Sequence, residues 1–208
     1  MSVAVSAKEA GVKRFIFASS VAAYGSSKTD AVETDELRPT TIYGECKKYA
    51  ENEVLTVIPT ATIVRSASVC GYSPHQRLDL TVNMMVHDAV RNGIITVNGG
   101  EQKRSHIHIQ DICDAYKLLL TTSKDWVAGQ VFNFVAENQT VSETAKSVAK
   151  VFSDRYVQIV TKPRSDDRSY TVDGNKARIH LGFAPKKSVD DAIYDLKVKF
   201  DSGYWTDS

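Results

Sequence analysis

Residues 14–65 begin with RFIFA (residues 14–18) and end with ATIVR (residues 61–65), two short runs rich in aromatic and β-branched side chains. Such runs are typical of strands buried on both faces of a parallel sheet. Between residues 41 and 58, apolar side chains recur at three- and four-residue steps until Pro59, which indicates a helix. Strand, helix and strand in this order form a βαβ unit with a right-handed crossover. The stretch therefore predicts part of a doubly wound α/β sheet.

The rest of the chain predicts a smaller lobe of mixed helices and strands. Thr140 and Glu143 form a capping-box pattern at the start of a further helix. An apolar run at residues 131–135 is expected to return to the main sheet as a strand. We therefore expect residues 1–68 to hold the remaining part of a Rossmann-type domain, and residues 69–208 to be mainly a substrate lobe.

The glycine-rich strand–loop–helix segment that begins a dinucleotide-binding sheet is not found in the sequence. The only adjacent glycines are Gly99 and Gly100, in the second lobe. We therefore expect a partial Rossmann-type sheet without its N-terminal strands, with an exposed apolar edge at the strand near Phe15. On this expectation the missing segment is either lost or supplied by another chain.

The composition excludes several kinds of partner. The 208 residues include 26 Lys and Arg against 25 Asp and Glu, so no basic surface for nucleic acid or for a membrane is expected. No apolar run approaches the ~20 residues of a membrane span, and the first residues do not have the pattern of a signal peptide. Cys46, Cys70 and Cys113 are far apart, which is typical of reduced thiols and not of a zinc site. These features predict a cytoplasmic protein without a bound metal.

Three side chains of the βαβ unit suggest acid–base chemistry. Tyr43 and Lys47 lie four residues apart in the predicted helix, so they share one face. A free tyrosine ionises near pH ~10, but a neighbouring ammonium group and the positive end of a helix favour the phenolate. Ser20 follows a predicted strand, at the edge where open α/β sheets place their ligands. A phenolate beside a serine hydroxyl can act as a general base or acid on a bound hydroxyl or carbonyl group.

The four-residue spacing alone is weak evidence. Tyr24 also has a lysine four residues later, Lys28, although the segment between them is typical of a loop. On spacing alone, a solvated helical pair is the commoner arrangement for Tyr43 and Lys47. The helical context favours Tyr43 and Lys47 as the pair whose side chains meet.

Residues 15–25 (FIFASSVAAYG), residues 33–40 (ETDELRPT) and residues 43–47 (YGECK) resemble, in this order, the extended short-chain dehydrogenase/reductase family. This family includes the NAD-dependent nucleotide-sugar epimerases and dehydratases. The resemblance runs over essentially the whole chain and is specific when the motifs are taken in order.

The resemblance implies the roles of the residues in the βαβ unit. Ser20, Tyr43 and Lys47 correspond to the catalytic serine, tyrosine and lysine of the family. Tyr43, Lys47 and Ser66 are implied to contact NAD or NADP in the full-length family member. Without the pyrophosphate loop, tight binding of NAD by this chain alone is not expected.

Other segments resemble the sugar-nucleotide site of the same family. The implied contacts with a nucleotide-diphosphate sugar are made by Ser68, Asn83, Met84, Val97, Asn98 and Arg104, with Arg164 and Arg168 as alternatives for a second phosphate contact. Arg104 matches the phosphate-binding arginine of the family, and a guanidinium fork suits a diphosphate. Ser68 stands where family members usually carry Asn, which weakens the expectation of a contact there.

Two histidines, His106 and His108, share one face of a predicted strand. They have no carboxylate or cysteine partner in the sequence pattern, and we interpret them as structural.

These features together predict an NAD-dependent epimerase, or a related reductase, that acts on a nucleotide-diphosphate sugar as a homodimer. A 4,6-dehydratase is a weaker prediction, because those family members carry Asp-Glu after the catalytic hydroxyl residue, whereas Val21 and Ala22 follow Ser20. The alternative, from another functional class, is a cofactor-free sugar-nucleotide-binding or dimerisation module.

Overall fold

The structure, a computed structural model, describes residues 2–27, 29–163 and 169–203. In chain order its helices are α1 (Ser2–Glu9), α2 (Ile42–Val57), α3 (Thr81–Asn92), α4 (Ile109–Thr121), α5 (Lys124–Val127), α6 (Val141–Val151), α7 (Asn175–Leu181) and α8 (Val189–Asp201). Its strands are β1 (Ile16–Ser20), β2 (Thr62–Ser66), β3 (Ser68–Cys70), β4 (Ile94–Asn98), β5 (Lys103–His108), β6 (Val131–Phe134), β7 (Glu137–Thr140) and β8 (Gln158–Lys162). A 3₁₀ turn, Val21–Ala23, follows β1.

The chain divides into two compact units. Unit 1 consists of Met1–Ala67, Ile112–Val135 and Ser169–Ala184, and unit 2 consists of Ser68–Asp111, Ala136–Arg168 and Pro185–Ser208. The sequence placed only residues 131–135 of the second half with the first unit, whereas most of α4 and the segment around α7 also belong to it.

Two long-range contacts explain why these segments join unit 1. The guanidinium group of Arg14, just before β1, donates to the carbonyl oxygens of Leu119 and Thr122 at the end of α4. The backbone of Ala31 pairs with the backbone around Val172. Such contacts depend on the folded chain and leave no periodic pattern in the sequence.

Unit 1 is built on a parallel sheet with the strand order β1-β2-β6, which confirms the predicted α/β fold class. The helix α2 connects β1 to β2, and Ile63 in the middle of β2 is fully buried against Val54 of α2. The strand β1 extends two residues further than the sequence indicated, so Ser20 is its last residue. In the register of the sheet, Ser20 lies beside Ser66 of β2.

Unit 2 contains a mixed sheet, β3-β5-β7, and a parallel pair, β4-β8. Its core lies between α3, α6 and α8, where Val86, Val148, Phe152 and Leu196 are completely buried. The capping box predicted for Thr140 and Glu143 is present at the start of α6. The sequence pattern did not indicate β3, which is three residues long, or β7, whose sequence ENQT is entirely polar.

Within the part of the chain that the structure describes, no helix combines the length and the apolar character needed to cross a membrane.

The ring of His106 in β5 is buried, with 1% of its surface exposed. Neither ring nitrogen has a hydrogen-bond partner among the described residues. Burial, with a smaller contribution from the charge of Arg104, lowers the pKa of His106 to about 4 from 6.5. The ring is therefore neutral in the folded protein at neutral pH, and the unfolded chain binds a proton more readily.

We expect the free energy of unfolding to fall as the pH drops from about 6.5 towards about 4, because only the unfolded state gains a proton at His106 in this range. The contribution of His106 should reach about 3 kcal/mol. His106→Phe should remove that part of the pH dependence, measured by urea unfolding at neutral pH and at about pH 4. His75→Asn, at an exposed position, is the control, and an equal pH dependence in His106→Phe and the parent would contradict the assignment.

Candidate functional site

The carboxyl ends of β1 and β2 place two serines side by side. Ser20 and Ser66 are the last residues of these strands and are direct neighbours in the register. The Oγ atom of Ser20 accepts a hydrogen bond from the backbone N–H of Ala22 at 3.2 Å and caps the 3₁₀ turn. Because the oxygen of Ser20 is used as an acceptor, its hydroxyl proton is left to donate to a ligand.

Tyr43 lies in the first turn of α2 and is 55% exposed. The Nζ atom of Lys47 is 5.5 Å from the centroid of the Tyr43 ring and 5.4 Å from that of Phe17. This ammonium group also donates a hydrogen bond of 2.8 Å to the carbonyl oxygen of Ala18 in β1. The hydroxyl of Tyr43 has no hydrogen-bond partner within residues 2–27, 29–163 and 169–203. The structure thus brings Lys47 against Tyr43 and leaves the phenol accessible.

Gly44, next to Tyr43, is required by close packing. A Cβ atom at this position would lie 2.5 Å from the carbonyl oxygen of Ala22 and 2.9 Å from Cβ of Pro39. The backbone of the first turn of α2 therefore rests directly on the turn that follows Ser20. The sequence analysis did not assign a role to Gly44, because the contact that requires a glycine joins positions 22 residues apart in the chain.

A buried ion pair holds the next part of α2. Arg65 of β2 donates to Glu51 of α2 from Nη2 at 2.7 Å and from Nε at 3.0 Å. Ser19 of β1 donates to the same carboxylate. The Nη1 atom of Arg65 donates to the hydroxyl of Tyr24 at 2.8 Å, and that hydroxyl donates to Oδ1 of Asn133 in β6 at 2.8 Å. This network was not predicted from the sequence. Its one signal is that Glu51 and Arg65, which carry opposite charges, lie in otherwise apolar patterns.

The network settles the place of Tyr24 in the fold. The ring is 4% exposed, and its hydroxyl is bonded to Arg65 and Asn133. Burial raises the pKa of the Tyr24 phenol, although the charge of Arg65 acts in the opposite direction. Tyr24 is therefore a protonated core residue, which supports Tyr43 as the tyrosine available for chemistry. Lys28 lies outside the described residues.

In unit 2, three residues expected at the sugar-nucleotide site lie at strand ends or on β5. Ser68 begins β3 and is paired in register with His106. Asn98 ends β4 and is exposed. Arg104 of β5 is 6% exposed, and its Nη1 atom donates to the carbonyl oxygen of Lys103 at 2.9 Å. Arg164 and Arg168 lie outside the described residues.

The structure shows other contacts for Asn83, Met84 and Val97, whose roles at the sugar-nucleotide site stay predictions. The side-chain amide of Asn83 is buried, accepts from the backbone N–H of Gly71 at 3.2 Å and donates to the carbonyl oxygen of Arg77 at 2.9 Å. It therefore holds the loop after β3. The backbone N–H of Met84 is bonded within α3, and the side chain of Val97 is completely buried in the core of unit 2. A contact of Val97 with a base would have to come from its backbone.

His108 has a carboxylate neighbour, which the sequence pattern did not indicate. Its Nδ1 atom accepts from the backbone N–H of Gln110 at 3.0 Å, and its Nε2 atom lies 3.2 Å from a carboxylate oxygen of Asp195 in α8. The sequence offered no sign of this partner, which is 87 residues away. Within the described ranges, no group of three or more His, Cys, Asp or Glu side chains is placed to hold a metal ion.

The residues of unit 1 fit the nicotinamide end of an NAD molecule. The Lys47 ammonium group has three donors, of which the bond to Ala18 uses one. The remaining donors suit ribose hydroxyls, the exposed ring of Tyr43 lies beside this ammonium group, and Ser66 is the last residue of β2.

A family model matches the same part of the chain. The model described as the NAD dependent epimerase/dehydratase family matches residues 1–134. This range includes β1, α2 and β2, and with them Ser20, Tyr43 and Lys47.

Named relatives include both epimerases and dehydratases. The chain is 28% identical to a UDP-glucose 4-epimerase of Lactobacillus helveticus, over 89% of this chain and 63% of that protein. It is 26% identical to a dTDP-D-glucose 4,6-dehydratase of Mus musculus, over 90% of this chain and 55% of that protein. The chain thus spans between about a half and two thirds of the length of these curated relatives.

A solved structure shows the same fold. The dTDP-glucose 4,6-dehydratase from Bacillus anthracis, solved in complex with NAD, superposes with a TM-score of 0.85 at 20% identity, covering 98% of this chain and 67% of that chain.

Proposed function

Because the chain belongs to the NAD-dependent epimerase/dehydratase family, we propose that it provides the acid–base and sugar-nucleotide-binding residues of an NAD-dependent epimerase that acts on a nucleotide-diphosphate sugar. The observation that carries this proposal is the contact of Lys47 with the ring of Tyr43, whose hydroxyl is exposed. Tyr43 therefore presents an accessible phenol oxygen on a ring that packs beside an ammonium group, which suits it to exchange a proton with a sugar hydroxyl.

Each residue of the proposed site has a distinct task. Tyr43 accepts the proton of the reacting sugar hydroxyl. The ammonium group of Lys47 lies beside this proton transfer and holds a ribose hydroxyl of the cofactor. Ser20 donates its hydroxyl proton to the oxygen of the sugar, which orients that oxygen towards the phenolate. NAD, when bound, accepts a hydride from the sugar and returns it.

The residues after Ser20 favour epimerisation over 4,6-dehydration. Val21 is buried and, like Ala22, has no acidic group. By the family resemblance, dehydratases carry Asp-Glu at these two positions, and an elimination needs such an acid to protonate the leaving hydroxyl. We therefore assign the chain to the epimerases, with UDP-glucose as the substrate to test first.

In unit 2 we propose Arg104 as the main phosphate contact, with Arg164 or Arg168 as the second. Arg104 is the second residue of β5, and a planar fork of N–H donors such as its guanidinium group can bind a diphosphate in two places at once. Ser68 and Asn98 are proposed as contacts of the sugar and of the nucleoside.

With the expected glycine-rich segment restored, Tyr43→Phe should lower the turnover of UDP-glucose in the presence of NAD by ~100- to 10,000-fold, because the variant keeps the ring and loses the acid–base oxygen. The affinity for UDP-glucose should be unchanged. Turnover is measured by chromatography of the sugar nucleotides and affinity by calorimetry. Tyr156→Phe, at an exposed tyrosine outside the proposed site and interface, is the matched control.

Tyr24→Phe is unsuitable as this control, because it removes two buried hydrogen bonds and should lower stability. If Tyr43→Phe turned over substrate at the rate of the parent, the assignment of the base would be wrong. Tight binding of UDP-glucose by the parent without turnover at any NAD concentration would favour the cofactor-free binding module.

Arg104→Ala should weaken the binding of UDP by roughly 10- to 150-fold, the value of one charged hydrogen bond. UDP is the probe because it carries the diphosphate without the reacting sugar. Lys103→Ala, at the exposed neighbouring position, should leave the dissociation constant close to that of the parent. Equal UDP affinity in Arg104→Ala and the parent, in calorimetry on variants with the circular dichroism of the parent, would remove Arg104 from the site.

We also propose that α1 and α2 carry a homodimer interface, since Val3, Ile42 and Tyr49 on these packed helices are 72%, 81% and 67% exposed. Ile42→Asp should shift the protein towards the monomer in light scattering, because it places a charge in an apolar contact. Ile179→Asp, at a position of unit 1 that is 69% exposed on α7, should have no effect. A parent chain that stays monomeric at high concentration would contradict the interface.

A further inference from the structure

The helix that carries Tyr43 and Lys47 is attached to the sheet at three successive points along one side. Gly44 rests on the carbonyl oxygen of Ala22, Lys47 donates to the carbonyl oxygen of Ala18, and Glu51 accepts from Ser19 and Arg65. The first two attachments are backbone contacts at the exposed end of the helix. The third is a charged contact deep in unit 1, where the Glu51 side chain is 3% exposed.

Glu51 lies four residues after Lys47 and eight after Tyr43. A helix rotates by about 100° per residue, so these three side chains project within roughly a quarter turn of one another. A rotation of α2 that withdrew Tyr43 from the carboxyl end of β1 would also withdraw Glu51 from Arg65. The buried pair therefore opposes that rotation.

Arg65 is itself fixed from several sides. Its Nη1 atom donates to the hydroxyl of Tyr24 and, at 3.2 Å, to the carbonyl oxygen of Glu33. Its guanidinium carbon lies 4.8 Å from the centroid of the Tyr24 ring. The guanidinium group is thus a rigid anchor in β2, to which the carboxylate of Glu51 makes a two-point bond.

We propose that Glu51 and Arg65 are positioning residues for the proposed acid–base pair: their buried ion pair fixes the rotation of α2 about its axis and so presents Tyr43 and Lys47 to the carboxyl ends of β1 and β2. The catalytic consequence of this inference rests on the proposed function, while its geometric part, the fixing of α2, does not.

The test separates positioning from stability with two variants. Glu51→Gln removes the charge and leaves Arg65 buried without its ion-pair partner, which should destabilise the protein. Glu51→Gln combined with Arg65→Met also removes the unpaired charge, and stability should largely return, because replacing a buried ion pair with groups of similar volume is often neutral. The charged tether of α2 to β2 is weakened in Glu51→Gln, whose amide oxygen can still accept from Arg65, and is absent in the double variant.

The first measurement is amide hydrogen exchange of residues 42–50 relative to β6, which reads the geometry without requiring activity. We expect exchange in residues 42–50 to accelerate by roughly 10- to 100-fold in both variants, the effect of losing one charged hydrogen bond. A purely structural role predicts recovery in the double variant. Phe183→Leu, whose ring packs edge-on against Phe134 at 4.9 Å in the same unit, is the control for general destabilisation.

The second measurement is the turnover of UDP-glucose with NAD. In both variants kcat should fall by roughly tenfold to a hundredfold with little change in KM, because a displaced acid–base group affects the reaction more than binding. The proposal would be overturned if the exchange rate of residues 42–50 returned to the parental value in the double variant, or if it rose equally in Phe183→Leu. So would parental kcat in the double variant of an active protein. An inactive parent refutes the proposed function for this chain, and the exchange experiment still decides whether Glu51 and Arg65 fix α2.

Discussion

The organisation of unit 1 depends on one buried ion pair, that of Glu51 and Arg65. Both side chains are withdrawn from water, at 3% and 6% exposure, and transferring two ions from water is unfavourable by several kcal/mol each. The geometry offsets this penalty, because the carboxylate accepts two bonds from the guanidinium group and one from Ser19. The net stabilisation of such a pair is small, but removing one partner costs about 3–5 kcal/mol, against a total stability of about 5–15 kcal/mol. The pair therefore specifies an arrangement more than it adds stability.

The arrangement that it specifies joins the three strands of the unit 1 sheet to the crossover helix. Ser19 belongs to β1, Glu51 to α2, Arg65 to β2 and Asn133 to β6. Asn133 extends the network further, since its amide donates to the carbonyl oxygens of Ala31 and Asp173 at 3.1 Å. One polar chain thus links the sheet, the crossover helix and the segment that precedes α7. Apolar contacts alone would tolerate a helix that is rotated or shifted on the sheet. These hydrogen bonds would not tolerate it, because they require particular directions between donor and acceptor.

Unit 2 uses carboxylates in a different way, to hold backbone N–H groups. Asp111, 2% exposed, accepts from the N–H groups of Lys186 and Lys187 at 2.9 and 3.0 Å. Glu137 accepts from the N–H of Val189 at 2.8 Å. Both anchor the chain at the start of α8, whose inner face fills the core. Asp111 has the sequence position of a helix cap, but it serves the approach to another helix, 75 residues further on.

The sequence predicts features that depend on residues close together in the chain, and it misses features that depend on contacts between distant residues. The elements β1, α2 and β2 and the capping box of Thr140 were predictable, because periodicity and capping are local properties. The short strand β3 and the polar strand β7 exist only because β5 lies between them, and neither has a hydrophobic pattern of its own. Likewise, Tyr43 and Lys47 were identified by their spacing in a predicted helix and by the family resemblance, while the bonds that occupy Asn83 and the core packing of Val97 depend on partners elsewhere in the fold.

Along α2, the residue proposed for chemistry lies apart from the residues that hold the helix in the fold. The half of the helix near its N-terminus carries the exposed Tyr43, and a side chain that contributes little burial can be replaced with little loss of stability. The following turns carry Glu51 and Val54, both buried, where substitution disturbs the packing of three strands and a helix. Lys47 stands at the boundary, because its ammonium group faces Tyr43 while it also bonds to β1. A change of chemistry on this scaffold therefore needs alterations only in the first turn of α2 and at the strand ends, provided that the ion pair two turns further on remains intact.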